Sequence, residues 1–198
     1  MVKISPQKIV GSWDGCYVLD KHILSSECIG EDEFGHLKFD TTRTQMGELV
    51  FQIKYRDNYS VLGTIIDTIV DFIINVWKIS IDLILPVPPS KQNRAIQPVE
   101  AIADGVGKKL GVEVSNSILM KVKDTSQLPL KNITDQSKRE ELLRDAFKVI
   151  NGAVANKNVL VLDDLFDSGT TLRIITDVLK KNGKPNKVYV LACTITQR

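Results

Sequence analysis

Hydrophobic residues recur along this chain with two spacings, which predict strands and helices in alternation. Residues 159–162 form an unbroken apolar run, typical of a strand buried on both faces of a parallel sheet. Residues 99–110 and 172–179 instead carry apolar side chains at helical spacing. A strand at 81–85, a proline-rich turn, the helix at 99–110 and a strand at 112–122 would form a βαβ unit, which requires parallel strands. The pattern predicts an α/β fold with a parallel sheet flanked by helices.

The first 45 residues differ from this pattern. Short β-type segments at 13–19, 22–28 and 36–39 are separated by turn-like residues and predict a small antiparallel meander. Histidines at positions 22 and 36 are expected at the surface or in turns rather than as metal ligands. We therefore expect residues 1–45 to form a β-rich appendage.

The rest of the chain, residues 46–198, is predicted to be one core domain. Together with the appendage it is expected to form a single compact unit. Residues 44–56 fit a strand or a helix equally well, and we choose a helix because the stripe over 62–77 is clearly helical. A short strand is expected at 146–150 and a last strand at 188–195.

One long polar stretch, from residue 123 to about 144, has no sustained periodicity. A stretch of this length inside a compact domain is usually functional or disordered, and the pattern leaves both open.

Composition narrows the class of protein. With 198 residues, 43% of them hydrophobic, the chain can form one globular domain with a substantial core. A net charge of +2 is too small to indicate a nucleic-acid-binding protein by itself. The three cysteines contain no C-x-x-C pair, which argues against a zinc ribbon or a disulfide framework, and there is no signal-peptide pattern. The apolar stretch at 61–77 is interrupted by polar residues and falls short of a membrane span. We therefore expect a cytoplasmic protein.

The clearest chemistry lies in residues 158–172, N-V-L-V-L-D-D-L-F-D-S-G-T-T-L. Two carboxylates, Asp163 and Asp164, close the predicted strand and can accept hydrogen bonds from the vicinal hydroxyls of a ribose. A short loop then opens a helix, and its free backbone N–H groups can bind a phosphate. Hydroxyl donors stand at Ser168, Thr170 and Thr171. Alternatively, the carboxylates merely end a strand and Ser168-Gly169 is an ordinary turn.

This stretch resembles the phosphoribosyl pyrophosphate (PRPP) binding loop of type I phosphoribosyltransferases: a hydrophobic run, two acidic residues, two variable residues, then D-(S/T)-G-x-T. The resemblance implies the type I phosphoribosyltransferase fold, with the N-terminal appendage as the hood. It places the 5′-phosphate on Ser168, Gly169, Thr170 and Thr171 and the ribose on Asp163 and Asp164. Asp167 is a candidate proton acceptor, and a role in holding the loop is equally simple.

The same resemblance implies roles for two other loops. Pro89, Ser90, Lys91 and Arg94 follow the strand at 81–85 and would bind pyrophosphate. Surface cations beside a helix start are also common without any ligand. The polar stretch would be a mobile loop that closes over the site, with Lys123, Lys131 and Arg139 completing the charge clamp.

The implied reaction is Mg²⁺-dependent transfer of ribosyl phosphate from PRPP to a nitrogen nucleophile, a nucleobase or an amine, with release of pyrophosphate. No direct metal ligand is predicted. Mg²⁺ would arrive with PRPP, and Asp163 or Asp164 could serve it through the ribose hydroxyls. An enzyme with this reaction would be a glycosyltransferase of the pentosyltransferase class, and catalytic activity is an expectation from the resemblance. A homodimer is a further expectation.

Across residues 45–195 the chain is similar to the ComF-type phosphoribosyltransferases associated with DNA uptake in competent bacteria. The similarity includes Ile53-Lys54-Tyr55, Pro86-Val87-Pro88 and Ser126-Gln127. The chain lacks the four-cysteine zinc ribbon with which ComF proteins commonly begin. This departure puts the competence role in doubt more than the fold. A rival class with the same fold is a non-catalytic PRPP or nucleotide sensor, or an accessory to a DNA-uptake helicase. Contact of lysines in 121–144 with nucleic acid is a third, weaker one.

Overall fold

The computed structural model describes residues 1–89, 94, 96–122 and 146–196. Its centre is a six-stranded sheet. The strands of this sheet are β1 (Gln7–Lys8), β2 (Gly15–Lys21), β5 (Leu83–Pro86), β6 (Glu113–Val114), β9 (Asn158–Phe166) and β10 (Lys187–Ile195). Their order is β1-β2-β10-β9-β5-β6. Strands β2, β10, β9, β5 and β6 are parallel, and β1 pairs antiparallel with β2 at one edge. The predicted mostly parallel α/β fold is confirmed.

Helices cover one face of this sheet. They are α1 (Gln45–Arg56), α2 (Leu62–Asp71) and α3 (Pro98–Leu110). A 3₁₀ turn (Tyr59–Val61) precedes α2, and a π-helical turn (Phe72–Trp77) follows it. Their apolar stripes meet even-numbered β9 residues such as Leu160 and Leu162 in one core cluster, because successive strand side chains point to opposite faces.

The opposite face of the sheet is covered by α4 (Thr170–Val178), which continues into a π-helical turn (Leu179–Gly183). A small antiparallel pair of strands, β7 (Leu119–Lys121) and β8 (Phe147–Val149), packs beside it. The odd-numbered β9 residues Val159 and Val161 belong to this second core cluster. Both faces of β9 are therefore buried, as its unbroken apolar run predicts.

The helix ends follow local rules of sequence. Thr44 caps α1 by accepting a hydrogen bond from the Gly47 N–H at 2.9 Å. Helix α3 begins with Pro98, and Gly111, the residue after its end, has a left-handed φ of 67° that closes the last turn. The helix chosen for residues 44–56 and the helix before Gly111 are both present.

The N-terminal region differs from the predicted meander. Strand β2 lies inside the central sheet, parallel to β10, and β1 extends the same sheet. Only β3 (Ile23–Glu31) and β4 (Leu37–Arg43) form a separate antiparallel hairpin. The prediction that strands of this region form one antiparallel unit is wrong for β2, since its buried residues Cys16 and Val18 belong to the main core.

The strand expected over residues 112–122 is divided in the structure. Its first part is β6, parallel to β5, and its second part is β7, paired with β8 in another sheet. Between them Ser115, Asn116 and Ser117 interrupt the strand. The βαβ unit is nevertheless present as β5, α3 and β6, and β8 lies where a short strand is expected.

The helical stretch Tyr59–Trp77 is long and apolar enough, by length and composition alone, to cross a membrane. Ile65, Ile69 and Phe72 are almost fully buried against the sheet. These contacts are those of a core helix in a globular fold.

Candidate functional site

The acidic pair lies inside β9, not at its end. Strand β9 continues to Phe166 because β10 pairs with it beyond the carboxylates, with Thr194 opposite Leu165 and Ile195 opposite Phe166. The expected end of the strand at Asp163–Asp164 is therefore two residues too early. The parallel strands β5, β9 and β10 run in the same direction, so the acidic pair is at their carboxyl edge, where open α/β sheets bind ligands.

Asp164 points toward the α1 face and is held by an ion pair. Its side chain is buried, and Lys54 Nζ lies 3.0 Å from Oδ1 and 3.0 Å from Oδ2. The Asp164 carbonyl accepts a hydrogen bond from the Thr194 hydroxyl at 3.1 Å. Asp164 is thus fixed through both its carboxylate and its backbone.

Asp163 has a different environment although it is the adjacent residue. Its Oδ1 accepts the backbone N–H of Asp164 at 2.8 Å. Burial, and next the charge of Asp164, raise the pKa of Asp163 from 3.8 to about 7. The two acids are therefore not equivalent: one is paired with a cation and the other is held by backbone N–H groups.

His22 is part of this polar network. It is buried, and its Nδ1 lies 3.1 Å from the Thr194 hydroxyl. Since that hydroxyl donates its proton to the Asp164 carbonyl, its oxygen accepts from His22, which assigns the proton to Nδ1. Burial, then the charge of Arg43, lowers the pKa of His22 and favours the neutral ring. The expected surface location is wrong for His22, whereas His36 is exposed and contacts Asp32.

Gly169 shapes the loop between β9 and α4. Its φ is +73°, a left-handed conformation that other residues rarely adopt. A Cβ atom there would lie 2.5 Å from the Phe166 ring, which packs edge-on against Trp13 with ring centroids 6.1 Å apart. Both the backbone conformation and the space require glycine at this position.

The predicted phosphate hydroxyls are brought together by this turn. Ser168 Oγ and Thr170 Oγ1 lie 2.9 Å apart, with Thr170 buried and Thr171 half-buried. Arg173, one turn into α4, donates to the Ser168 carbonyl at 3.1 Å and fixes the loop from behind. The loop can present hydroxyls and the first N–H groups of α4 to one small anion.

Asp167 is exposed at the start of the loop, and its Oδ1 accepts a hydrogen bond from the Thr196 hydroxyl at 2.9 Å. This contact ties the loop to the end of β10 and fits the loop-holding role. Whether Asp167 also accepts a proton from a nucleophile stays a prediction.

Of the four residues predicted to bind pyrophosphate, Pro89 and Arg94 are described, and Ser90 and Lys91 lie outside the described residues. The Arg94 guanidinium donates to the Lys54 carbonyl at 2.7 Å. The predicted loop cations Lys123, Lys131 and Arg139 also lie outside the described residues.

The sequence did not single out Lys54, Thr194 or His22 as site residues. Lys54 is 110 positions from Asp164 in the sequence. Its one signal was its place in the Ile53-Lys54-Tyr55 segment of the family resemblance. Its partner becomes evident only when α1 is packed on the sheet.

Within the described ranges, no three His, Cys, Asp or Glu side chains form a cluster suited to a metal ion. Two adjacent carboxylates nevertheless offer the oxygen ligands that Mg²⁺ prefers, so an ion carried by a phosphate-containing ligand would fit beside them.

Comparisons with known proteins find relatives by structure only. No protein-family model matches this chain, and no curated protein matches it. Adenine phosphoribosyltransferase from Leishmania tarentolae aligns with a TM-score of 0.50 at 10% identity, over 98% of this chain and 95% of that one. A glutamine PRPP amidotransferase from B. subtilis, complexed with ADP and GMP, aligns with a TM-score of 0.50 at 19% identity, over 81% of this chain.

The chain spans only 34% of the amidotransferase and 27% of the allosteric regulatory enzyme of purine biosynthesis, matched with a TM-score of 0.44. At these identities the likeness concerns the fold. The parallel sheet, its flanking helices and the two neighbours with a TM-score of 0.50 establish that the chain has the type I phosphoribosyltransferase fold.

Proposed function

We propose that this protein binds PRPP at the carboxyl edge of its sheet and transfers ribosyl phosphate to a nitrogen nucleophile, releasing pyrophosphate. The observation that carries the proposal is the joint placement of the acidic pair and the Gly169 turn on one strand–loop–helix unit of this fold. Carboxylates suit vicinal hydroxyls, and a helix N-terminus with hydroxyls suits a phosphate. The two solved neighbours with a TM-score of 0.50 are named for phosphoribosyl chemistry.

In the proposed complex the 5′-phosphate lies in the loop formed by Ser168, Gly169, Thr170 and Thr171. The Ser168 and Thr170 hydroxyls are already hydrogen-bonded to each other, so the turn holds the two donors close together for one phosphate. Asp163 and Asp164 accept the ribose hydroxyls. The loop requires no large rearrangement, which lowers the entropic cost of binding.

The pyrophosphate group then lies toward Arg94, Pro89 and the adjacent Ser90 and Lys91. Cations near the leaving group stabilise the negative charge that develops on it as the glycosidic bond breaks. Lys123, Lys131 and Arg139 are proposed to complete this charge clamp and to exclude water from the site.

Mg²⁺ fits this site as an ion carried by the oxygen atoms of PRPP, because Asp164 is already paired with Lys54. When bound, it supplies charge neutralisation for pyrophosphate. Asp167 is proposed to accept the proton of the nucleophile or to hold the loop through Thr196. The base or amine that accepts the ribosyl phosphate is not assigned by any described residue.

A non-catalytic PRPP sensor with this same site, including a ComF-like accessory of DNA uptake, is the alternative to an enzyme. It shares every binding contact above and differs only in lacking transfer. A cytoplasmic location and a homodimer are part of the proposal for either form.

The test is pyrophosphate release by the full chain with PRPP, Mg²⁺ and a panel of nucleobases and amines. We expect release with at least one acceptor and a loss of a hundredfold or more in Asp163→Asn/Asp164→Asn. Asp177→Asn, an exposed carboxylate on α4, is the matched control and should match the wild type. Binding of PRPP without release from any acceptor would select the sensor, and absence of PRPP binding would overturn both.

A further inference from the structure

Lys54 contacts both sides of the candidate site with two different groups. Its side-chain ammonium contacts both carboxylate oxygens of Asp164 on the ribose side, each at 3.0 Å. Its backbone carbonyl accepts a hydrogen bond from Arg94 on the pyrophosphate side at 2.7 Å. One residue of α1 therefore joins strand β9 to Arg94 in the segment between β5 and α3, two parts of the chain that are far apart in the sequence.

The side-chain contact differs from an ordinary surface ion pair. The side chains of Lys54 and Asp164 are 26% and 10% exposed, whereas those of Lys157 and Glu113, an ion pair elsewhere in the molecule, are 34% and 60% exposed. Exposed pairs contribute little because water screens them. A carboxylate as buried as that of Asp164 needs a compensating charge, and its removal would leave an unpaired buried anion.

The ammonium leaves part of the Asp164 carboxylate available. Two carboxylate oxygens offer about four acceptor sites in total. Lys54 occupies one direction at each oxygen, so a ribose hydroxyl can still approach from another direction. The ion pair thus orients Asp164 without excluding a ligand from it.

The backbone contact has its own physical basis. The last carbonyl groups of a helix have no partner within the helix, and Lys54 lies in the last turn of α1. A guanidinium at this end satisfies one such carbonyl and lies at the negative end of the helix dipole. Arg94 is half-buried, and a guanidinium carries five N–H donors, so the bond to the Lys54 carbonyl uses only part of its donor capacity.

We propose that Lys54 is a positioning residue that holds the two halves of the site in register: its ammonium orients Asp164 for the ribose and its carbonyl orients Arg94 for pyrophosphate. This proposal rests on the proposed function and assigns a role to a residue outside the PRPP loop. It predicts that a substitution of the Lys54 side chain affects ligands on the ribose side only. Such a substitution removes the contact with Asp164, whereas the backbone carbonyl that binds Arg94 remains.

Calorimetric titration with PRPP, ribose 5-phosphate and pyrophosphate, each with Mg²⁺, tests that statement. Lys54→Met should weaken PRPP and ribose 5-phosphate by about tenfold or more, the usual effect of losing a charged contact. Pyrophosphate should change by less than about twofold, since the carbonyl that anchors Arg94 remains. Arg94→Met should instead weaken pyrophosphate by about tenfold or more and change ribose 5-phosphate by less than about twofold.

Lys54→Arg keeps the charge and should restore most of the ribose 5-phosphate affinity, a rescue that a purely space-filling role would not give. Lys157→Met removes a lysine from the exposed ion pair and is the matched control; it should leave all three affinities unchanged. If Lys54→Met weakens all three ligands equally, or none, the positioning role is wrong.

A second experiment needs no ligand. Urea denaturation of Lys54→Met, Asp164→Asn and the double variant measures the ion pair itself. We expect Lys54→Met to lower the denaturation midpoint and Asp164→Asn, added to it, to raise the midpoint again by removing the unpaired anion. A double variant no more stable than Lys54→Met would contradict the ion pair as the contact that holds Asp164. If the wild type binds none of the ligands, the proposed function fails, and this cycle alone decides whether Lys54 holds Asp164.

Discussion

Two segments of the molecule differ in almost every physical respect: strand β9 with the loop and helix that follow it, and the hairpin Ile23–Arg43, which follows the carboxyl end of β2. Strand β9 is buried on both faces. Its acidic pair is held by hydrogen bonds: Asp163 Oδ1 accepts the Asp164 N–H, and the Asp164 carbonyl accepts the Thr194 hydroxyl. The second is a two-stranded hairpin whose residues are almost all exposed, including Leu37 and Phe39. The core fixes the first segment, whereas the hairpin is held mainly by its own pairing, which is marginal for two strands.

Two phenylalanines give the strongest contrast between these segments. Phe166 is 5% exposed and packs on Trp13, while Phe39 is 55% exposed. Phe166→Ala should lower the free energy of unfolding by about 3–5 kcal/mol, because it leaves a cavity behind the loop. Phe39→Ala should change it by less than about 0.5 kcal/mol. Equal effects in urea denaturation would show that the hairpin is packed against something in solution.

Two glycines sharpen the comparison at the level of the backbone. Gly169 and Gly35 have similar φ values of +73° and +79°, but only at Gly169 would a Cβ meet another atom within 4 Å. Gly35→Ala should cost the backbone strain alone, roughly 1 kcal/mol. Gly169→Ala adds a clash with the Phe166 ring and should cost about 2–4 kcal/mol in all, and weaken PRPP binding. Equal losses of melting temperature in Gly35→Ala and Gly169→Ala would contradict the expected clash with the Phe166 ring.

The free energy of unfolding should depend on pH in opposite ways through Asp163 in β9 and Asp32 in the hairpin. Because the pKa of Asp163 in the folded chain, about 7, is above its ordinary value of 3.8, the folded state holds the extra proton between these limits. The free energy of unfolding should therefore fall as pH rises through this window, by at most about 1.4 kcal/mol per pH unit from this group. Asp163→Asn should remove that slope in urea denaturation across pH 4–7.

Backbone N–H bonds, first that of His36, lower the pKa of Asp32 in the hairpin. Its contribution is therefore present above the unfolded pKa and is lost as pH falls, and Asp32→Asn should leave the slope from Asp163 intact. The lowered pKa of His22 also opposes that slope, because the unfolded state binds its proton first as pH falls. A slope unchanged in Asp163→Asn would show that Asp163 does not titrate as its surroundings imply.

The smallest expected effect on PRPP binding is that of removing the hairpin. Ile23 and Arg43 are paired across its base, so a short turn can join them in place of residues 24–42. We expect PRPP affinity to change by less than about threefold, because none of the proposed PRPP contacts lies in the hairpin. Ribosyl transfer should fall further if the hairpin acts as the hood over the second substrate. A large loss of PRPP binding would place the hairpin in the PRPP site itself.

What the sequence predicted well is local. The apolar run of β9, the Gly169 turn and the stripe of α4 are continuous in the chain, and so are α3 and its Gly111 stop. Each of these elements is set by neighbouring residues, so periodicity and turn chemistry are sufficient to find it.

What it missed depends on contacts between distant parts of the chain. The partner of β2 is β10, some 170 positions later, and nothing in Gly15–Lys21 itself distinguishes a central strand from a meander. The ion pair of Lys54 with Asp164 and the burial of His22 arise for the same reason. The strand expected over 112–122 is divided at Ser115, Asn116 and Ser117. These polar residues are a local signal of a break, but the apolar residues on both sides of them favoured one continuous strand.

The most direct test of the central claim is calorimetric titration of the full chain with PRPP and Mg²⁺, beside Asp163→Asn/Asp164→Asn. The account predicts saturable binding of one PRPP per chain, weakened a hundredfold or more in the double variant while its circular dichroism spectrum is unchanged. Equal affinity in the two proteins would contradict the assignment of the ribose to this acidic pair, and no binding to the wild type would contradict the PRPP site altogether.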